Sequence, residues 1–524
     1  MRILEITLIV SLAIYFIGSF LKKRKRPFWL ASIPYAALII SLLHVFIEGS
    51  RWQMYIAYAL TVLFFVLSIL RKIRYNRIDQ KELALSKLKL FGVKIALVFG
   101  MLFLAISAFL AHIFPVPTLP APTGPHKVGT TFFHFIDYNR EEKISPDTND
   151  VRSLWVQAWY PAEHIESLER VPMMSESDRF MGDYAVLVGL PRFAVDHVKL
   201  IKSHSYLNAP IKSGEETFPI IIYSHGYTSN LSDNTQKMEA LASNGYVVFS
   251  ITHSYESQLS LSDEGRWLTI TNTNSIGILK SRKNEDTIAF NKADHAIKAI
   301  KAKANSLETE LRAPLTLLKK DKLVLDSLYQ IAYPKRRNRV RVWTADFSFA
   351  LNEIERMQSG ERESIFKGKL DINRVGAFGA SFGGLSAAYF SSTDPRCIVS
   401  VNLDCGQYGL MYSDTLFKPY MIINGQDGWD NEIIDADWEN IGRAKPYYRV
   451  SIQGAKHINI ADQVWNSYLG RKIGISGSGS INTNRSYEIY NSYLLAFFNQ
   501  YLKGEKQELL EGEDQFKEVK FRKY

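Results

Sequence analysis

The chain has 524 residues, 46 % of them hydrophobic, and carries 63 Lys/Arg against 53 Asp/Glu. That length exceeds one ordinary domain, so two units or a large domain with additions are expected. Residues 1–114 hold 15 Lys/Arg against 4 Asp/Glu and the remainder holds 48 against 49, so the basic excess is local and the compositional case for a nucleic-acid partner falls away.

Four apolar stretches near Ile3–Leu21, Phe28–Phe46, Tyr55–Leu70 and Phe91–Phe114 approach or reach the roughly 17–25 residues that cross a bilayer as a helix. A cleaved signal peptide fits poorly, because Lys22–Arg26 follow the first apolar run instead of preceding it. Basic residues crowd the first loop (Lys22–Arg26) and the third (Arg71–Lys89), whereas the second has only Arg51 beside Glu48. The positive-inside rule then puts the first and third loops in the cytoplasm and everything beyond Phe114 outside it. Glu5, His44, Lys94 and His112 fall near the predicted helix ends, which reads as interfacial placement and gives no ground for a transporter. The expected partner of this segment is the lipid bilayer.

Five prolines between Pro115 and Pro125 form a semi-rigid, polyproline-like spacer. Residues 1–114 are thus read as a membrane anchor and 115–127 as a linker. Val128–Ile136 and Ser153–Tyr160 alternate like edge strands. Residues 162–215 show no clear strand, but Met173, Met174 and Phe180–Val188 form an apolar patch, either core or one wall of an acyl pocket. From Phe218 the pattern becomes strand, helix, strand: Ile220–Tyr223, Asn234–Asn244 with Gly245 as its stop, then Tyr246–Ile251. Further strands are expected at Val375–Phe378, Ile398–Leu403, Tyr420–Ile423 and Tyr448–Ile452, which implies an α/β fold with a mostly parallel sheet.

Two charged amphipathic helices, Glu285–Thr309 and Leu315–Ile331, interrupt this rhythm as an insertion over about 277–338, readable as a solvated hairpin, a lid or a partner surface. A third, Val342–Met357, belongs to the sheet proper. The closing helix near Arg485–Tyr501 is expected to pack over the sheet, and residues 504–524 read as a loosely ordered charged tail. Cys397 and Cys405 flank a predicted strand that would hold them roughly 26 Å apart, beyond disulfide reach, so both are expected to be free and buried.

The chemistry centres on Gly379-Ala380-Ser381-Phe382-Gly383. This G-x-S-x-G run follows an apolar strand and precedes a small-residue segment, the order a nucleophile elbow requires. A serine nucleophile needs a base, and His457 is the one histidine after Ser381 in the chain; it follows the last predicted strand, where an α/β-hydrolase delivers its base. The residues leave the acid open between Asp404 and Asp427, which end successive strands. Oxyanion donors are expected at the Phe382 N–H and in the loop Ser224-His225-Gly226-Tyr227, with the Tyr227 N–H as donor; His225 is read as a brace for that loop.

These segments resemble the platelet-activating-factor acetylhydrolase family, its plasma and type-II intracellular branch, within the dienelactone-hydrolase-like α/β-hydrolases. The resemblance is carried by Pro122–Pro125 with Val128–Thr130, by Leu154–Pro161, Phe218–Gly226, Asn244–His253, Arg374–Gly384, Val401–Asp404 and His457, and by the closing helix with Leu495–Leu502. It covers nearly all of 120–503 except the inserted helices, and not the membrane segment. It implies an α/β-hydrolase domain over 128–503, with nucleophile on Ser381, acid on Asp404, base on His457 and oxyanion-loop residue on Tyr227. One departure is Ala380, where the family usually has histidine.

Together these expectations describe a membrane-anchored serine ester hydrolase with its catalytic domain outside the cytoplasm. An acyl-serine pathway needs no metal or cofactor. The resemblance implies a lipid or short-acyl ester substrate, including phospholipid. An acyltransferase or peptidase using the same residues, or a non-catalytic tethered binding module, are the competing classes.

Overall fold

The computed structural model describes residues 1–21, 25–77, 87–174, 191–214, 216–269, 334–405, 418–425, 446–462, 477–512 and 516–523, with isolated positions between. They form two compact units, one of Met1–Thr118 with residues 191–201, the other from the remainder.

The first unit contains α1 (Ile3–Phe20), α2 (Ile33–Leu43), α3 (Tyr55–Arg77) and α4 (Lys87–Ile113). Counting short helical turns that flank α2 and α3, the apolar spans run 18, 21, 22 and 23 residues. At 1.5 Å per residue these lengths match a hydrocarbon layer about 30 Å thick. Leu8, Leu12, Phe16, Phe64 and Leu104 fill the interior, while Val10, Ile39, Leu63 and Phe103 face outward. These helices thus carry apolar residues on outward as well as inward faces, a pattern that suits a membrane span.

Glu5 and His44 are fully buried. Arg51 Nη2 donates to Glu5 Oε2 (2.5 Å) and to the Ala111 carbonyl (3.0 Å), and its Nη1 donates to the Phe114 carbonyl (2.5 Å). One guanidinium thus neutralises Glu5 and caps the end of α4, whose last carbonyls have no partner within the helix. Ring contacts also tie in a distant 3-10 helix, Arg192–Leu200. Trp52 Nε1 donates to the Ala194 carbonyl (3.3 Å), and the Phe114 and His197 rings lie 5.8 Å apart. The sequence places residues 192–200 in the downstream domain; in the structure they pack with the helices.

The second unit is built on one sheet of β1 (Lys127–Glu141), β2 (Val151–Ala162), β3 (Arg170–Pro172), β4 (Lys202–Leu207), β5 (Phe218–Ser224), β6 (Val247–Ile251), β9 (Leu370–Ala380), β10 (Cys397–Leu403), β11 (Tyr420–Gly425), β12 (Tyr447–Ile452) and β13 (Val519–Lys523). The hairpin β7 (Leu259–Leu261) and β8 (Trp267–Thr269) stands apart. The order is β13-β12-β11-β10-β9-β5-β6-β2-β1-β4-β3, and the neighbours from β6 to β12 all pair in parallel.

Alternation along β5 shows why its apolar run is continuous. Ile221 and Tyr223 join one core, with Met238 and Leu241 of α5 (Thr235–Ser243) and Phe497 and Phe498 of α8 (Thr483–Leu502). Ile220 and Ile222 join the other, with Phe347 and Leu351 of α6 (Pro334–Ser359) and Phe390 of α7 (Phe382–Thr393). A strand buried on both faces has no polar side. The sheet and its two helical layers are the α/β architecture expected from the pattern and the hydrolase fold that the resemblance implies.

Further expectations are corrected. Val128–Ile136 and Ser153–Tyr160, read as edge strands, lie inside the sheet, β1 between β2 and β4 and β2 between β6 and β1. Residues 162–215 contain β3 and β4, the latter a polar strand, Lys-Ser-His-Ser-Tyr-Leu, paired parallel to β1. The terminal tail ends in β13, antiparallel to β12: Val519 and Phe521 pack on the core while lysine and arginine alternate with them, a pattern that suits a sheet edge. Cys397 and Cys405 form no disulfide and are buried, as expected. The helices expected at Glu285–Thr309 and Leu315–Ile331 lie, but for isolated positions, outside the described residues, as does most of Phe180–Val188.

Candidate active site

Ser381 sits between β9 and α7 with φ 51° and ψ −124°, a conformation that a side chain adopts only when the surroundings impose it. Those surroundings are steric. A Cβ on Gly379 would lie 2.2 Å from the carbonyl carbon of Gly383, and one on Gly383 would lie 2.2 Å from the Ser224 carbonyl oxygen. Both flanking glycines are therefore needed to bring strand, turn and helix together. The Ser381 N–H donates to the Leu403 carbonyl (2.7 Å), which ties the elbow to the end of β10.

Asp404 follows immediately, at φ 59° and 1 % exposed. Its Oδ1 accepts the Gly425 N–H (3.2 Å), and its Oδ2 lies 2.6 Å from His457 Nδ1. His457 opens a 3-10 turn after β12 and keeps 39 % of its side chain exposed. Ser381, Asp404 and His457 thus follow β9, β10 and β12 at one carboxyl edge of parallel strands, where open α/β sheets hold ligands. Asp427, the competing acid, lies outside the described residues.

The loop after β5 reaches the same edge. A Cβ on Gly226 would stand 3.4 Å from the Ser381 Cβ, so Gly226 and the elbow are in contact. Phe382 opens α7, where helix geometry leaves its N–H without an intrahelical acceptor. The Tyr227 and Phe382 rings meet edge to face at 5.7 Å. His225 points inward, with Nδ1 2.6 Å from the Gly226 carbonyl and Nε2 2.6 Å from Ser257 Oγ. Burial pushes its pKa down, so the ring stays neutral and braces the loop.

A second serine–histidine–aspartate chain lies behind this loop, and the sequence offered no sign of it. Ser224 Oγ is 2.8 Å from His253 Nε2, and His253 Nδ1 is 2.7 Å from Asp346 Oδ2. All three are fully buried, and Arg152 Nη2 donates to the same Asp346 oxygen (2.6 Å). Burial drives His253 down to about 3. The chain has no open side for a substrate, so its geometry holds structure together.

The model of the family "Platelet-activating factor acetylhydrolase, isoform II" matches residues 112–518. The chain belongs to this family. The platelet-activating factor acetylhydrolase of Cavia porcellus is 24 % identical over 439 residues, 78 % of this chain and 85 % of that one. The fold is shared with a ferulic acid esterase from Streptomyces cinnamoneus, at TM-score 0.55 and 19 % identity over 78 % of this chain and 99 % of that one. Family membership makes the chain a carboxylic-ester hydrolase. At the family's usual histidine position before the nucleophile, Ala380 is buried in the core beside Phe378.

Proposed function

We propose that the chain is a membrane-anchored serine esterase that cleaves lipid or short-acyl esters outside the cytoplasm. Ser381 attacks the ester carbonyl, and its proton passes to His457. Asp404 holds the imidazole in the tautomer that presents Nε2 to the serine. The Tyr227 and Phe382 N–H groups receive the developing oxyanion. His457 then protonates the leaving alcohol, and water releases the acyl group by the same route in reverse. The observation that carries this reading is the 2.6 Å contact of His457 Nδ1 with Asp404, one residue beyond the carbonyl that fixes the elbow.

In this reading residues 1–114 are the anchor, with 192–200 packed against it, 115–127 are the linker, and the catalytic domain runs from 128 to the strand β13. The four apolar spans support anchoring, and the distribution of basic loop residues supports an extracytoplasmic domain. The name of the Cavia porcellus relative supports a phospholipid-like short-acyl ester. A membrane-impermeant fluorophosphonate applied to intact cells tests both parts. It should label wild type and not Ser381→Ala; equal labelling of both removes Ser381 as nucleophile, and labelling only after lysis removes the extracytoplasmic placement.

A further inference from the structure

Trp343 is fully buried on α6 and has no place in the mechanism above, yet its indole touches the rings of both residues proposed as oxyanion donors. It meets the Phe382 ring edge-on at 4.8 Å and 85°, and lies near-parallel to the Tyr227 ring at 6.0 Å and 20°. Its other neighbours are His253, stacked at 3.6 Å and 10°, and His225, edge-on at 5.4 Å. Its Nε1 donates to Glu256 Oε2 (2.8 Å).

The two proposed donors belong to different elements, the loop after β5 and the first turn of α7. Nothing in either element alone sets the distance between them, although oxyanion donors must lie within about 2.7–3.1 Å of one developing charge. The Tyr227 and Phe382 rings touch each other at 5.7 Å and Gly383 packs on the Ser224 carbonyl; a rigid side chain in contact with both rings adds the further point that holds them in register. We propose that Trp343 is the positioning residue that fixes the Tyr227 and Phe382 backbones relative to each other, and so determines the geometry of the oxyanion hole. The inference rests on the assignment of Ser381 and these two donors under Proposed function.

The indole is itself held from two sides, by the His253 stack and the Glu256 hydrogen bond. Asp346 lies one turn further along α6, so the same helix face carries Trp343 and the carboxylate that anchors its stacking partner His253. His253 is fixed at both nitrogens, by Asp346 and Ser224, and Asp346 by Arg152. Burial keeps the imidazole neutral, so the stack is an apolar contact that ordinary pH does not disturb. Glu256 is gripped by Arg339 Nε (2.7 Å), and its carbonyl accepts the Thr228 N–H (3.0 Å), one residue beyond Tyr227. The acceptor of the indole therefore also pins the donor loop.

A wedge of this kind acts on the transition state and leaves ground-state binding alone. Trp343→Leu should lower kcat about 10- to 100-fold with KM changed less than about threefold, in full-length enzyme in detergent with p-nitrophenyl acetate. Affinity for a trifluoromethyl ketone, which forms a tetrahedral adduct, should fall by the same factor as kcat/KM. Trp343→Phe keeps part of the wedge and should fall between the two; it decides the matter where the leucine variant does not fold. Wild-type kcat and ketone affinity in folded Trp343→Phe and Trp343→Leu overturn the proposal, as does a rise in KM with kcat unchanged, which would make Trp343 a pocket wall. Ser381→Ala separates the two levels: turnover there defeats the underlying assignment, whereas an inactive Ser381→Ala beside unaffected Trp343 variants defeats the wedge alone.

Discussion

His457 Nδ1 and Asp404 Oδ2 are 2.6 Å apart, although 53 residues separate them in the chain. Asp404 is almost fully buried and its other oxygen accepts the Gly425 N–H. The carboxylate is thereby fixed by the turn that ends β10 and by β11 beside it, and the histidine takes its orientation from that fixed group. Asp404→Asn should lower kcat by about 10³–10⁴-fold, because an amide can hold the wrong imidazole tautomer. Asp427→Asn should stay within a few-fold of wild type. Ester turnover of the two purified variants checks this, and the opposite ranking would transfer the role to Asp427.

The elbow makes a steric prediction. A methyl group on Gly383 would sit 2.2 Å from the Ser224 carbonyl oxygen and 2.4 Å from that of His225, and both are backbone atoms at the end of a fully buried strand. Neither side can yield without moving α7 off the sheet. Gly383→Ala should therefore cost more than about 4 kcal/mol and abolish activity in any fraction that folds. Gly92→Ala on α4 is the control: a Cβ there meets nothing within 4 Å, and activity should be unchanged. Thermal midpoints in detergent beside ester turnover distinguish the two.

The contrast between these glycines and other parts of the molecule shows what a sequence can carry. The G-x-S-x-G run is legible because its requirement is local, and Ile220–Tyr223 is legible because burial on both faces removes every polar residue. β4 hides because its serines and histidine make it look like a loop; the buried Glu239 accepts from the backbone of His204 and from Ser205 Oγ. β13 hides because its lysines and arginine dominate the composition of a terminal segment. His253 and Asp346 lie 93 residues apart, across the insertion, so no spacing rule could have joined them. The same holds for residues 192–200, whose partner Trp52 is set by tertiary packing alone.

Glu239 gives a pH prediction. It is buried on α5, and burial pushes its carboxyl up to about 7, against the opposing pull of its hydrogen bonds to Ser205 and His204. The native state then holds this proton up to about pH 7, whereas the unfolded chain releases it near the ordinary glutamate value. The raised value contributes stability that is fully present below that ordinary value and is lost as pH rises through about 7. The loss is on the order of 3 kcal/mol over the whole window. Denaturation midpoints of wild type should decline from pH 5 to pH 8, and those of Glu239→Gln, which cannot ionise, should decline distinctly less. Parallel curves for the two proteins would show that Glu239 does not carry this titration.

Glu5 supports the last prediction. Its carboxylate receives Arg51 Nη2 at 2.5 Å and Arg2 Nε at 2.9 Å, and Arg51 also closes the end of α4 through the Ala111 and Phe114 carbonyls. Removing only the carboxylate leaves two guanidinium groups facing each other, one of them fully buried and short of a counter-charge. Glu5→Leu should therefore destabilise the helical unit by about 3–5 kcal/mol. Glu5→Leu with Arg51→Leu removes both buried charges and should recover most of that loss, less the capping of α4. Unfolding midpoints in a mild detergent measure both. A single variant as stable as wild type would mean that the helices are held by the packing of Leu8, Leu12, Phe16, Phe64 and Leu104 without help from the ion pair; a double variant worse than the single would mean that capping of α4 by Arg51 outweighs the burial of its charge.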